Sequence, residues 1–144
     1  MIEINAGAQT AQGRGDGEKI ENIISGRIKD ASIEVHKVLG GPGLLESIYE
    51  DALFQELQLR GIEVKRQVYV PVKYKGIILR DPLRIDLLVE NKIIIEVKAT
   101  EINHVIHKSQ VLTYLRLTGL RLGLVLNFGQ DLLINGLFRV VNDL

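Results

Sequence analysis

Three charged residues, Asp86, Glu96 and Lys98, lie in an otherwise apolar stretch from Arg84 to Thr100, RIDLLVENKIIIEVKAT. A buried charge without a partner costs several kcal/mol, so the fold must compensate the two acids. A divalent cation would do so, and carboxylate oxygens suit Mg²⁺ or Mn²⁺. Because a nearby lysine can orient water and stabilise charge on a phosphate, the chemistry that these residues could perform is metal-dependent phosphodiester hydrolysis.

The spacing of these residues predicts how they meet. Two apolar runs flank residues 90–92, which favours a β-hairpin. If those three residues form the loop, Asp86 lies opposite Glu96, with Cβ atoms roughly 5 Å apart. A two-residue loop would shift the register by one residue. Glu96 and Lys98 share a face in either case, because positions two apart in a strand point the same way.

A surface ion pair between Glu96 and Lys98 is the simpler alternative, since acid-x-lysine triplets are common on exposed strands. The neighbouring residues argue against it, because apolar side chains occupy both faces of each strand, as in strands buried on both sides. These apolar residues are Leu87, Leu88, Val89, Ile93, Ile94, Ile95 and Val97. We therefore expect the charges to lie in an interior sheet.

A second group of residues, Gly43, Glu46 and Tyr49, forms the pattern G-x-x-E-x-x-Y at the start of a predicted helix. Glu46 and Tyr49 are neighbours on the helix surface, so both could serve one site. An acid in the first turn also interacts favourably with the helix dipole, and a tyrosine is often a core residue. The spacing leaves both interpretations open.

A third group, His107, Gln110 and Tyr114, forms one stripe of a later helix. The amide and the hydroxyl could bind water or a phosphate, although buried polar groups are more often satisfied by their neighbours. His104 and His107 are close enough in sequence to share a metal. With no third ligand nearby, we do not expect a zinc site.

The elements that must position these groups follow from the apolar periodicity. We expect helices at residues 20–39, 44–60 and 103–118 and strands within residues 62–76, 77–89, 93–99, 122–129 and 133–141. The strand at residues 77–89 is expected to bend around Asp81 and Pro82. This order predicts an α/β fold with a central mixed β-sheet flanked by helices.

The composition is that of a soluble globular protein, and 144 residues are enough for a single domain. Residues 1–19 are expected to form a flexible, Gly-rich tail without the features of a signal peptide. No apolar run approaches the roughly 20 residues of a membrane span. Because the chain has no cysteine, a thiolate metal site is excluded and a reducing cytoplasm is the expected location.

The formal net charge is zero, but basic residues concentrate in two regions. Residues 60–84 contain seven lysines and arginines against two acids, and residues 102–130 contain no acid. Such a distribution suits a partner that carries phosphates, although solvated charged surfaces are more common than binding sites.

Together these motifs resemble the PD-(D/E)XK nuclease superfamily and, within it, the small bacterial proteins named for their GxxExxY motif. The resemblance extends from about Ile24 to Val141. It is carried by GLLESIY at residues 43–49, by Asp86 followed by Glu96-Val97-Lys98, and by QVLTY at residues 110–114. It implies a restriction-endonuclease-like core with a four-stranded mixed sheet, so that residues 20–144 form one PD-(D/E)XK nuclease-like domain.

The resemblance also implies the role of each residue in Mg²⁺- or Mn²⁺-dependent cleavage of nucleic acid. Asp86, Glu96 and the carbonyl of Val97 would bind the metal. Lys98 would position the attacking water, and Glu46 would lie close to the same metal.

Four further residues would contact the substrate, which is expected to be DNA: Gln110, Tyr114, Tyr49 and Arg84. Gln110 and Tyr114 could instead support the catalytic lysine.

Other functions stay open. The chain could bind nucleic acid or regulate another protein without turnover, although such a module has no evident need for Lys98. It could also be the protein partner of a larger nuclease or defence system. A homodimer is one assembly that the sequence allows.

Overall fold

The computed structural model describes residues 19–144, so the predicted tail lies outside the described part except for its last residue. Helices and strands occur in the predicted order, with one additional short hairpin and a 3-10 helix. Their bounds are α1 (Ile20–Val38), α2 (Glu46–Leu59), β1 (Val64–Val70), β2 (Lys73–Tyr74), β3 (Ile77–Ile78), β4 (Leu83–Val89), β5 (Ile93–Lys98), α3 (Val105–Thr118), β6 (Leu122–Asn127), the 3-10 helix (Leu133–Gly136) and β7 (Leu137–Val141).

Five strands form the central sheet in the spatial order β1-β4-β5-β6-β7. β5 and β6 are parallel and the other neighbouring pairs are antiparallel, so the sheet is mixed as predicted. α3 connects β5 with β6, because parallel neighbours need a crossover connection rather than a tight turn. The resemblance implied four strands, whereas the sheet has five.

Helices cover both faces of this sheet. α1 and α2 pack on one face through residues such as Ile28 and Leu53, and α3 packs on the other through Val111 and Leu115. The central strands are therefore buried on both sides, which explains their continuous apolar runs. This arrangement confirms the predicted α/β fold. Within residues 19–144, no helix combines the length and apolar character that a membrane span requires.

The strand expected at residues 77–89 is divided in two. Pro82 lies between β3 and β4, and a proline has no N–H to donate to a ladder. Lys75 and Gly76 have φ values of 48° and 82°, which suit a two-residue turn between β2 and β3. These two strands form a separate sheet in which Tyr74 pairs with Ile77.

Candidate active site

The hairpin of β4 and β5 brings the two central acids together. Its loop consists of residues 90–92, because Val89 pairs with Ile93. The same register, continued along the strands, places Asp86 opposite Glu96, as the three-residue loop predicts. Both residues are buried, with 5% and 6% of their surface exposed.

The ladder between β4 and β5 ends before it reaches these acids. In its place, the N–H of Val97 donates a hydrogen bond of 2.9 Å to Oδ2 of Asp86. The Lys98 carbonyl accepts a bond from the Phe128 amide, on the β6 side of β5. Because successive residues direct their backbone groups to opposite neighbours, the Val97 carbonyl faces β4. The Asp86 carboxylate and the Val97 carbonyl therefore border the same gap.

β1 and β4 both lose their regular geometry at this point. Gln67 of β1 has a φ of 50°, and the pairing omits Gln67 and Asp86 although it continues on either side. Ile85 packs in the α3 layer, whereas Leu87 packs beneath α1 and α2. Regular alternation would put these two side chains on one face. Asp86 is therefore not part of the regular pairing of β4 with β1 or with β5.

Lys98 lies between two acidic side chains. Its Nζ is 3.4 Å from Oε1 of Glu96 and 3.9 Å from Oε1 of Glu46. Glu46 is the first residue of α2 and is about half exposed, so the helix start carries it to the edge of the buried pair. The ammonium group is therefore held beside the acids, where its N–H donors can also reach a water or a phosphate.

The crowding of carboxylates changes their protonation. Burial raises the pKa of Glu96 to about 7, and the charge of Asp86 adds to this rise while Lys98 opposes it. Burial also raises the pKa of Asp86, against the hydrogen bond from Val97. Burial raises the pKa of Glu46 as well, against the charge of Lys98. Near neutral pH, the pair of Asp86 and Glu96 consequently tends to hold a proton.

We expect the free energy of unfolding, measured without divalent ions, to decrease by on the order of 2 to 3 kcal/mol as the pH rises from about 5 to about 7. The pKa of Glu96 is about 7 in the folded protein and 4.5 ordinarily, so the folded state binds more protons in this window. The stabilisation is complete below the ordinary pKa and lost above 7. Urea unfolding in EDTA at several pH values measures it. Glu96→Gln should flatten the slope, and an unchanged slope in that variant would contradict the assignment.

Glu50 is a further buried acid beside the pair, and it was not among the residues predicted from the sequence. Its carboxylate accepts hydrogen bonds from Arg66 at 3.1 Å and from Gln67 at 2.9 Å. Its charge adds to the rise in pKa that burial causes at Asp86. The available signal was its spacing from Glu46, because residues four apart share one face of a helix.

Tyr49 does not line a substrate surface, so the prediction that it contacts substrate is wrong. It is fully buried, and its ring stacks on Phe128 with centroids 4.8 Å apart. Its hydroxyl donates to the Gly41 carbonyl at 2.6 Å and accepts from the Leu44 amide at 3.2 Å. A side chain without exposed surface cannot contact a nucleic acid. Tyr49 instead fixes the turn before α2 and, through that turn, the position of Glu46.

Of the other predicted substrate residues, Gln110 and Tyr114 are bonded to each other, and only Arg84 lies near the acids. Nε2 of Gln110 donates to the Tyr114 hydroxyl at 3.0 Å. Within residues 19–144, no hydrogen bond or ion pair connects either residue with Lys98 or with the acids. Arg84 is exposed, and its charge opposes the rise in pKa that burial causes at Asp86, so it lies near the buried pair.

The two histidines before and within α3 contact each other, with ring centroids 5.7 Å apart. Nε2 of His107 is buried and has no hydrogen-bond partner in the described part of the chain. Burial lowers the pKa of His107, and the charges of Lys98 and His104 lower it further. Across residues 19–144, no group of three or more His, Cys, Asp or Glu side chains is arranged to hold a metal ion.

The fold is similar to that of a solved structure, and the sequence matches a family model. The crystal structure of SSO0001 has a TM-score of 0.52 to this chain and 18% sequence identity. The match covers 85% of this chain and 60% of that one, and at this identity it concerns the fold alone. No curated protein matches the sequence. The sequence model of one nuclease family matches residues 22–140, which include both acids and Lys98. The chain therefore belongs to the PD-(D/E)XK nuclease superfamily.

Proposed function

We propose that this protein is a metal-dependent nuclease in which Asp86 and Glu96 bind Mg²⁺ or Mn²⁺. The observation that carries the proposal is a pair of opposed, buried carboxylates at a break in the sheet, with the Lys98 ammonium 3.4 Å from one of them. Membership of a nuclease superfamily supports phosphodiester hydrolysis as the reaction. The Val97 carbonyl is the further ligand that we propose, and Glu46 supports the site from α2.

The donor atoms fit a hard divalent cation. Carboxylate and carbonyl oxygens are the ligands that Mg²⁺ and Mn²⁺ prefer, and Mg²⁺ commonly takes only one or two carboxylates besides water. A cluster of three acidic side chains is therefore not required. Asp86 uses Oδ2 for the Val97 amide, which leaves Oδ1 for an ion. Burial and mutual repulsion raise the pKa of Glu96, and a bound cation would offset both.

Lys98 is the residue that acts on the reacting atoms. The ion, when bound, would supply Lewis-acid polarisation of the phosphodiester. Lys98 orients the attacking water and interacts with the charge that develops on the phosphate oxygens. The water loses a proton to the solvent and its oxygen forms a bond to phosphorus, while the bond from phosphorus to the leaving oxygen breaks and that oxygen takes up a proton from the solvent. Oε1 of Glu96 and Oε1 of Glu46 lie 3.4 Å and 3.9 Å from Nζ, so the charges of both acids attract the ammonium group to this position.

DNA is the substrate that we propose, cleaved in the cytoplasm by a member of the GxxExxY group. The GLLESIY motif supports the group assignment, since its Glu46 lies beside Lys98. Arg84 would contact a phosphate, because it is exposed and lies two residues before Asp86. Gln110 and Tyr114 would support the substrate from α3.

Cleavage that depends on a divalent ion tests the proposal. We expect the full-length protein to cut labelled plasmid, single-stranded or branched DNA with Mg²⁺ or Mn²⁺ and to be inactive in EDTA, because the acids need the ion to act on a phosphate. RNA of the same sequences tests the substrate class. Binding that is equally tight in EDTA, with no cleavage of any substrate, would instead favour a non-catalytic nucleic-acid-binding module.

A further inference from the structure

The β2–β3 hairpin forms an arm outside the two hydrophobic cores. We define the arm as residues 72–79, which are closed at the base by a hydrogen bond from the Leu79 amide to the Val72 carbonyl. The turn at Lys75 and Gly76 has two successive positive φ values, as in the tight turns that match the twist of a hairpin. The arm is therefore a short projection with a defined tip.

The apolar side chains of the arm are exposed to solvent. Tyr74 is 58% exposed, and Ile77 and Ile78 are 65% and 60% exposed. Tyr74 and Ile77 are cross-strand partners, so their side chains lie next to each other on one face of the hairpin. An isolated two-stranded hairpin gains little stability in water, and a contiguous exposed apolar surface commonly marks an interaction site.

The charges around these apolar residues specify the kind of partner. Lys73, Lys75 and Arg80 are exposed, and within residues 19–144 none of them forms an ion pair. By contrast, Arg60 and Arg66, earlier in the same basic region, are paired with acids. Lys75 Nζ lies 5.5 Å from the centre of the Tyr74 ring. The arm thus exposes an aromatic ring and isoleucine side chains, and the basic side chains beside them form no ion pair within residues 19–144.

The arm begins at the end of the sheet that contains the acids. Val70 and Leu83, the residues that flank it in β1 and β4, are paired with each other. Asp86 follows Leu83 by three residues in β4, which corresponds to about 10 Å along a strand. The base of the arm and Asp86 are therefore close enough for one strand of nucleic acid to contact both.

We propose that the arm binds unpaired nucleotides of the substrate, with Tyr74 stacking on a base and the surrounding lysines contacting phosphates. This inference rests on the proposed function, since it names the form of nucleic acid presented to Asp86 and Glu96. Aromatic side chains and cationic side chains are the combination with which proteins bind single strands. In a blunt duplex the base faces are already stacked, so only the cations of the arm would find partners. A second copy of the chain is a poorer fit, because two positively charged arms repel each other.

The test uses fluorescence anisotropy with the full-length Lys98→Ala protein in Mg²⁺, so that substrate is not consumed. We expect a labelled single strand and a forked duplex to bind more tightly than a blunt duplex of the same length. Adding Tyr74→Ala should weaken binding of the first two about tenfold, the size of one lost base–aromatic stack. Leu59→Ala, which removes an 82% exposed aliphatic side chain on α2, is the matched control and should change nothing. Lys75→Gln should reduce the salt dependence of binding.

Equal affinities for Tyr74→Ala and Leu59→Ala, or no affinity for any nucleic acid, would overturn the inference. So would a loss that is equal for forked and blunt duplexes, or a change of oligomeric mass in Tyr74→Ala. The proposed nuclease activity can fail separately from this inference. If the protein that retains Lys98 binds nucleic acid tightly through Tyr74 but does not cleave it, nuclease activity is rejected while binding by the arm is supported.

Discussion

Lys98→Ala is expected to lower the rate of metal-dependent cleavage by about 10²- to 10³-fold, the usual effect of removing one group that stabilises developing charge. Lys98 is the cation paired with Glu96, and within residues 19–144 no other ion pair reaches that carboxylate. Its loss removes an interaction that strengthens as negative charge develops on the phosphate. We therefore expect the decrease mainly in kcat, with substrate binding changed much less.

Single-turnover cleavage of a labelled DNA in Mn²⁺ measures this effect. Lys37→Ala is a suitable control, because Lys37 is an exposed lysine in the last turn of α1. Lys37→Ala should retain the thermal unfolding temperature of the wild type, and Lys98→Ala should still unfold in one cooperative transition, so that a loss of cleavage is not a loss of the fold. Equal cleavage by wild type and Lys98→Ala would indicate a contaminating nuclease and would remove the basis for the assignment.

Asp86→Asn is expected to weaken Mn²⁺ binding by at least about 100-fold, because even outer-shell partners of a metal site contribute 10- to 100-fold. The asparagine oxygen can still accept the hydrogen bond that the Val97 amide donates. The substitution therefore removes the charge and leaves the neighbouring strand connected. Isothermal titration with Mn²⁺ measures the affinity, and cleavage should be lost in parallel.

The metal-free stability of this variant gives an independent readout. Asp86 is one of the causes of the raised pKa of Glu96, after burial, so its neutralisation should leave the variant at least as stable as wild type in EDTA above about pH 7. Asp30→Asn, at an exposed position of α1, controls for a general change of charge. Unchanged Mn²⁺ affinity in Asp86→Asn would exclude Asp86 as a ligand. If metal-free Asp86→Asn unfolds more easily than the metal-free wild type, the charge of Asp86 stabilises the fold.

The parts of the site that depend on local rules were predictable from the sequence. The three-residue loop specifies the pairing of β4 with β5, and this pairing places Asp86 opposite Glu96. Apolar runs on both sides of these acids indicated an interior sheet, and both residues are buried.

The parts that depend on tertiary contacts were not predictable. The positive φ of Gln67 lies in an ordinary-looking strand sequence, and nothing local marks it. The spacing of Glu50 from Glu46 marks a shared helix face, but it does not show that β1 supplies Arg66 and Gln67 to hold the Glu50 carboxylate. Tyr49 was assigned to substrate because its motif spacing does not distinguish a buried hydroxyl from an exposed one. Its stacking on Phe128 joins positions far apart in the chain.

The break between β4 and β5 divides the candidate metal site between two separately braced strands. β5 remains paired with β6 as far as Lys98 and Asn127, so the backbone at Glu96 is held by β6. β4 remains paired with β1 on either side of Asp86, so the backbone at Asp86 is held by β1. Beyond the intact ladder near Val89, the distance between the two carboxylates therefore depends on the angle at which β4 and β5 diverge. A substitution in β1 or β6 that changes the angle between these strands would alter the distance between the two carboxylates. It would thereby change the size of the ion that they could bind, without contact with either acid.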